Sequence, residues 1–346
     1  MTETPARDAV EDTTTQAITG QAITTQAITG RSSLREKTAD RLLRSSAARS
    51  YDPDVDIDWS APLPADKYYL PEHRVSLYGT RMWQEMTPEQ RFELAKHEIV
   101  SITSYGIYAE TALMHLLLKV VTQGDPTSRH ARYALTEVAD ECRHSTMFGR
   151  GIERAGVGPY LAPWWFRQAL NLTLLLPIGP ATYGGTLLVE ELLDRLQRET
   201  LNDEGMQPHI RMINKIHVLE EARHISFARA ELLRMVPKLG GLQMAGNRLA
   251  LALAAPLLVG LMIHPDVYRA VGLDPDEARR TARANPHHRE SLRWMGERLV
   301  GFLTEAGMIR GRLTTALWRR SGLLGRDGLP GRDVPATGTT IEGVQA

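Results

Sequence analysis

The sequence predicts an all-α protein, a four-helix bundle followed by additional C-terminal helices. Three observations predict it. Long stretches carry apolar residues at helical spacing between recognisable caps, and alternating β-type runs bounded by turns are scarce. A Glu-x-x-His signature also occurs twice on helix-patterned sequence, at Glu141–His144 and Glu221–His224. With 346 residues, 42% of them hydrophobic, the chain can bury a sizeable core.

In chain order, residues 1–33 are low in complexity, with "QAIT" starting at 16, 21 and 26. That period of five fits neither helix nor strand, so a disordered arm is expected. Residues 34–315 are expected to form a single helical domain and 316–346, ending in a Gly- and Pro-rich stretch, a flexible tail. "YDPDVDIDW" (51–59) alternates aspartates but lacks the glycine and glutamate of an EF-hand loop, so it reads as a structured loop. A long helix opens at Thr87-Pro88 with Gln90 completing a capping box, and it runs until "TQGDP" near 122–126. Further helices are expected over about 127–148, through "GGTLLVEELLDRLQRE", over about 207–235, over 249–263, and through "HHRESLRWMGERLVGFLTEAG".

Lys plus Arg and Asp plus Glu both number 41, so nothing points to nucleic acid or to an acidic solvating tail. The one cysteine, Cys142, excludes an internal disulfide framework and a Cys-rich zinc site; a plain buried thiol in a cytoplasmic protein is expected. The N-terminal residues lack the basic start and apolar core of a signal peptide. Two apolar runs, around 170–193 and at Leu249–Ile263, are short or interrupted by Pro and Gly, so both read as buried core helices and no membrane partner is expected.

The two signatures belong to a longer repeat. "EVADECRH" (Glu137–His144) and "HVLEEARH" (His217–His224) align at an offset of 80 residues, and Glu110 and Glu190 keep the same offset. Each of those glutamates lies 31 residues before its Glu-x-x-His glutamate. Two helices that each supply one inward Glu, and two that each supply Glu-x-x-His, are what a di-metal site in a bundle core requires. Carboxylate oxygens can bridge two cations and offset their charge, and mixed oxygen–nitrogen ligation with open positions suits iron or manganese used with O₂. Glu110 and Glu190 have leucines at their helical neighbours, and an acid on an apolar face is costly unless it is paired or holds metal. The metal candidates are therefore Glu110, Glu141, His144, Glu190, Glu221 and His224, with Glu191 the alternative to Glu190 by a register shift. Asp140 and Glu220, each four residues before a histidine, are candidates to receive that ring's outer N–H. Arg143 and Arg223 are expected to pair with acids. One repeat position is asymmetric: the second half has His217 where the first has Glu137, and either can face the site.

The H-x-x-x-E-x-x-H pattern at 217–224, with an inward Glu 27 residues earlier, resembles the di-iron arylamine N-oxygenases of the p-aminobenzoate N-oxygenase type, and most of all the chloramphenicol-biosynthesis type. The resemblance covers roughly residues 50–235. It implies a ferritin-like fold, two iron ions, O₂ as co-substrate, and seven ligands, with His217 joining the six above. It further implies a monooxygenase that takes an aromatic amine through hydroxylamine and nitroso stages to a nitro group in antibiotic biosynthesis, and a homodimer. Glu141 and Glu221 would bridge the metals, leaving Glu137, Asp140 and Glu220 around them. No flavin fingerprint or cysteine cluster is present, so electrons are expected from an external donor or from the substrate-derived intermediates. The alternatives are a ferritin-like C–H hydroxylase or desaturase, against which His217 argues, and an iron-storage bundle, against which the chain length argues. "PWWF" (163–166) and the C-terminal helices are candidates to build a substrate cavity.

Overall fold

The structure, a computed structural model, describes residues 34–325, all of whose regular elements are helices. The expected arm (1–33) lies outside the described residues. In chain order the helices are α1 (34–48), α2 (Pro53–Asp56), α3 (Arg81–Glu85), α4 (Pro88–Gln123), α5 (Arg129–Ala155), α6 (Trp164–Leu172), α7 (Pro180–Leu201) and α8 (Pro208–Met235). Then follow α9 (Gly241–Leu261), α10 (Asp266–Ala270), α11 (Pro275–Ala284), α12 (Pro286–Glu305) and α13 (Arg312–Arg320).

The bundle is two helical hairpins, α4 with α5 and α7 with α8, packed so that α5 meets α8 and α4 meets α7. α4 forms as its caps require. The Thr87 hydroxyl accepts from Gln90 N at 3.3 Å while the Gln90 amide oxygen accepts from Thr87 N at 3.0 Å. At 36 residues it spans about 54 Å. α5 continues past its expected end near 148 to Gly156, which takes a left-handed φ of 71°. Two glycines set close approaches in this assembly. A Cβ at Gly151 would lie 2.9 Å from Ile213 Cδ1 of α8, and one at Gly184 only 2.6 Å from Leu251 Cδ2 of α9.

Some expectations change. The tail was expected from residue 316, yet α13 runs to Arg320 and Trp318, Leu323 and Leu324 are buried, because this segment closes the core against α9 and α12. The run at 249–263 is not a buried core helix. α9 buries only Met244, Leu251, Ala252 and Ala255 against its neighbours and leaves Leu253 and Leu257 at 53% and 40% exposure, since it is covered on one side only. The segment Gly241–Ala270 is long and apolar enough to cross a membrane by length and composition. In the other apolar run Leu187, Leu188 and Leu192 are core, but Leu172 and Leu174–Leu176 are exposed. Cys142 is exposed rather than buried, its Sγ 3.6 Å from Met114 Sδ. The 51–59 stretch is a structured loop in which Asp52 caps α2 and the Trp59 indole N–H donates to Pro53 O at 2.8 Å.

Candidate metal centre

Each hairpin carries its two acidic positions to the bundle axis by helical arithmetic. Residues three and four apart share a face, so Glu141 with His144, and Glu221 with His224 and His217, project from one stripe of α5 and of α8. Glu110 and Glu190 come from the facing stripes of α4 and α7. The structure brings all seven predicted ligands together in the core, with Glu137 beside them, and all eight are buried. Ligand-type atoms approach within 4.8 Å in four overlapping groups: Glu110/His144/His217, Glu137/Glu141/His224, Glu141/His144/Glu221 and Glu190/His217/Glu221. Glu191 is directed elsewhere, onto the Arg229 guanidinium, while Glu190 lies within the cluster.

Glu141 and Glu221 occupy the centre. Glu141 Oε2 lies 3.1 Å from His144 Nδ1, and its Oε1 lies 2.7 Å from His224 Nδ1. Glu221 Oε1 is 3.1 Å from His224 Nδ1, 3.2 Å from His144 Nδ1 and 3.7 Å from His217 Nε2. Each of these carboxylates therefore touches both halves of the cluster.

The outer ring nitrogens show an exchange that sequence reasoning did not anticipate. His144 of α5 sends Nε2 to Glu220 Oε2 of α8 at 2.9 Å, and His224 of α8 sends Nε2 to Asp140 Oδ2 of α5 at 3.3 Å. Asp140 and Glu220 thus orient the histidine of the opposite hairpin. Arg223 braces the pair at 3.2 Å from Asp140 and 3.6 Å from Glu220, and Arg143 pairs with Asp140. Glu220 Oε1 also accepts from Tyr51 N at 3.2 Å, which ties the 51–59 loop to the centre. His217 is held by a neutral group, its Nδ1 2.9 Å from Gln197 Oε1, while Nε2 faces Glu110 Oε1 at 3.3 Å. Gln197 was missed, although it lies two helical turns beyond Glu190 on the same stripe of α7.

The electrostatics of the cluster are those of a cation site. Burial, then the charges of Glu141 and Glu221, push Glu110 well above the usual carboxylate range; burial and Glu110 do the same to Glu190. Burial raises Glu137 to about 8. Burial also acts upward on Glu221, but the His224 and His217 rings outweigh it and hold the group well below its usual value. For His144 and His224 burial opposes the charge, yet contacts with Glu141 and Glu221 leave both well above the ordinary histidine value. Burial takes His217 down to about 4, so it is a neutral donor at pH 7. Glu110 Oε2, Glu221 Oε2 and both oxygens of Glu137 are buried without hydrogen-bond partners. Orphaned carboxylate oxygens at this depth are costly alone and are the donors a pair of divalent cations takes up, so the residues fit the group.

His217 and Glu110 also line an inner chamber of about 50 Å³ whose wall includes Ile102, Tyr105, Phe148 and Leu196. The buried Tyr105 hydroxyl in that wall has no partner. "PWWF" does not build this chamber: Trp164 and Trp165 are 69% and 48% exposed on the surface.

The family model of the p-aminobenzoate N-oxygenase AurF matches residues 32–307. An uncharacterised protein of Mycobacterium tuberculosis is 30% identical over 225 residues, covering 62% of this chain and 64% of the relative. One from Mycobacterium bovis is 30% identical over 211 residues, covering 58% and 62%. The chain thus matches just under two thirds of the length of these relatives. Among solved structures, an R2-like ligand-binding oxidase mutant with a reconstituted Mn/Fe cofactor is similar at a TM-score of 0.42 and 15% identity, over 84% of this chain and 91% of that one. With a match running over most of its length, and with two Glu-x-x-His hairpins meeting in a helical core, the chain belongs to the p-aminobenzoate N-oxygenase AurF family, a family of di-iron helical bundles.

Proposed function

We propose that this di-metal oxygenase acts on the nitrogen of an aromatic amine, carrying it through hydroxylamine and nitroso stages to a nitro group. In this reading Glu110, Glu141, His144, Glu190, His217, Glu221 and His224 would hold two iron ions, with Glu141 and Glu221, the carboxylates that touch both halves of the cluster, at its centre. Glu137, whose oxygens sit in ligand-atom range of Glu141 and His224, is available as a further donor. When bound, the metal pair supplies O₂ activation.

The observation that carries the reading is His217, a buried neutral imidazole inside the carboxylate cluster that also lines the inner chamber. It adds a donor without adding negative charge. The chamber wall is apolar at Ile102, Phe148 and Leu196. Burial keeps the Tyr105 hydroxyl protonated, so it can hydrogen-bond a substrate nitrogen or its oxygenated products without giving up its proton. At about 50 Å³ the chamber is smaller than an aromatic ring needs, so docking requires side chains of that wall to shift. A homodimer, an external reductant and a role in making a nitroaromatic antibiotic of the chloramphenicol type belong to the same proposal.

The test is iron-loaded protein given O₂, a reductant and a panel containing arylamines and alkyl substrates, with products identified by mass. Hydroxylamine, nitroso and nitro products support the reading. Hydroxylated or desaturated alkyl products with the arylamines untouched would place the enzyme among C–H oxidants, and His217→Ala protein that binds two irons and makes nitro product at the wild-type rate would remove His217 from the argument.

A further inference from the structure

A second, much larger cavity of about 1270 Å³ opens beside the first. Its floor is apolar, with Leu253 and Leu257 of α9, Ile263, and Leu292 and Met295 of α12. Leu70, Ile102 and Leu196 line both this cavity and the inner chamber, so the two abut across those three side chains.

The rest of the wall is cationic. Arg279 and Arg283 lie one turn apart on α11, Arg289 and Arg293 one turn apart on α12, and Arg319 and Arg320 at the end of α13. Among the described residues none of these six has a carboxylate within ion-pair distance; the Arg289 side chain reaches only the Arg283 carbonyl, at 2.8 Å. Arg74, in the same wall, shows the contrast. It stacks on Trp294 at 3.7 Å and pairs with Glu199 at 2.7 Å. The one buried acid of the wall, Glu98, is turned onto the N–H and hydroxyl of Ser76 and is not available to the arginines. Burial and then Arg279 and Arg320 hold the Arg283 guanidinium below its ordinary value, the mark of cations crowding one another. His288, in the first turn of α12, contributes a buried Nδ1 with no hydrogen-bond partner.

A protein of zero net charge has no need to gather around one opening six guanidiniums that have no carboxylate partner among the described residues. A single carboxylate would engage one fork, whereas phosphate oxygens accept from several guanidiniums at once. We propose that the outer cavity binds a phosphate-bearing ligand with at least two negative charges, held by Arg279, Arg283, Arg319, Arg320 and His288, with its apolar part against Leu253 and Leu257. This site is separate from the metal centre, and the inference does not depend on the arylamine reading.

The test is calorimetric titration of the metal-loaded, full-length protein with inorganic phosphate, adenosine diphosphate and adenosine at constant ionic strength. The expected result is one-to-one binding of the diphosphate at least about tenfold tighter than phosphate, with no binding of adenosine. Arg283→Gln/Arg320→Gln changes two exposed side chains and should weaken the diphosphate by about tenfold or more, while Arg132→Gln on α5 leaves it unchanged. Equal affinity for phosphate and diphosphate, or an unaffected double variant, would overturn the proposal. So would binding that vanishes from metal-free protein, since that marks chelation at the metal centre.

Discussion

Replacing Glu220 by Gln tests whether the crossed contacts hold the metal centre together. The perturbation is small in shape: the amide oxygen can still accept from His144 Nε2, now 2.9 Å from Glu220 Oε2, while the amide nitrogen takes the place of Oε1 and gives up the 3.2 Å contact from Tyr51 N. Arg223 keeps Asp140 at 3.2 Å, so no guanidinium is stranded. What the His144 ring loses is a charged partner. A hydrogen bond to a charged group is worth about 1.5–3 kcal/mol and a neutral one about 0.5–1.5, so the ring is held less firmly by about 1–1.5 kcal/mol. That difference is about tenfold in metal affinity, the lower end of the 10–100-fold range typical of such supporting partners. The assay is chelator competition on wild type, Glu220→Gln and His144→Ala, with circular dichroism to show that the fold is kept. A Glu220→Gln protein that binds metal as tightly as wild type, while His144→Ala binds poorly, would show that the crossed contact does not support the histidine and would refute the reasoning.

Loading the centre with metal should release protons from the groups held above their ordinary values, the Glu110 and Glu190 carboxyls and the His144 and His224 imidazoliums. Affinity should therefore rise with pH, and a pH-indicator titration that detects no proton release contradicts the assignment. Glu98 has a folded pKa of about 7 against 4.5 when unfolded, so between those values the native state keeps a proton that the unfolded chain has lost. Stability should fall by about 3 kcal/mol as pH rises through that window and level off above it. Urea unfolding should show that slope in wild type and a flatter one in Glu98→Gln. Gly184→Ala should cost about 1–3 kcal/mol by urea unfolding, because its Cβ would sit 2.6 Å from Leu251 Cδ2 on a fully buried side chain; an unchanged midpoint would mean that α9 yields there.

The parts of this structure legible in the sequence are those set by local periodicity. The Thr87–Gln90 cap, the hairpins and the inward stripes of Glu110, Glu141, Glu190 and Glu221 follow from spacing along one helix. What escaped depends on what stands opposite. Apolar composition marked α9 for burial, but nothing local says that only one side of it is covered. Cys142 lies beside a buried glutamate yet one helical step away faces outward, and Trp318 is held in the core by partners distant in sequence. Asp140 and Glu220 were visible as acids one turn before histidines, while their reaching across to the other hairpin is a property of the packing. The arginine wall is the same case, since three helices supply it and no single stretch is basic enough to announce it.

The crossing of Asp140 and Glu220 also bears on how such a chain arises. A lone hairpin of this kind carries the acid and the histidine but cannot join them, because each acid serves the other hairpin's ring. The smallest self-sufficient unit is two hairpins of this kind packed face to face, which two copies of one short polypeptide could supply by pairing symmetrically. Once both copies lie on one chain, the symmetry is no longer obligatory and each half is free to diverge. His217 opposite Glu137 is where this chain has used that freedom.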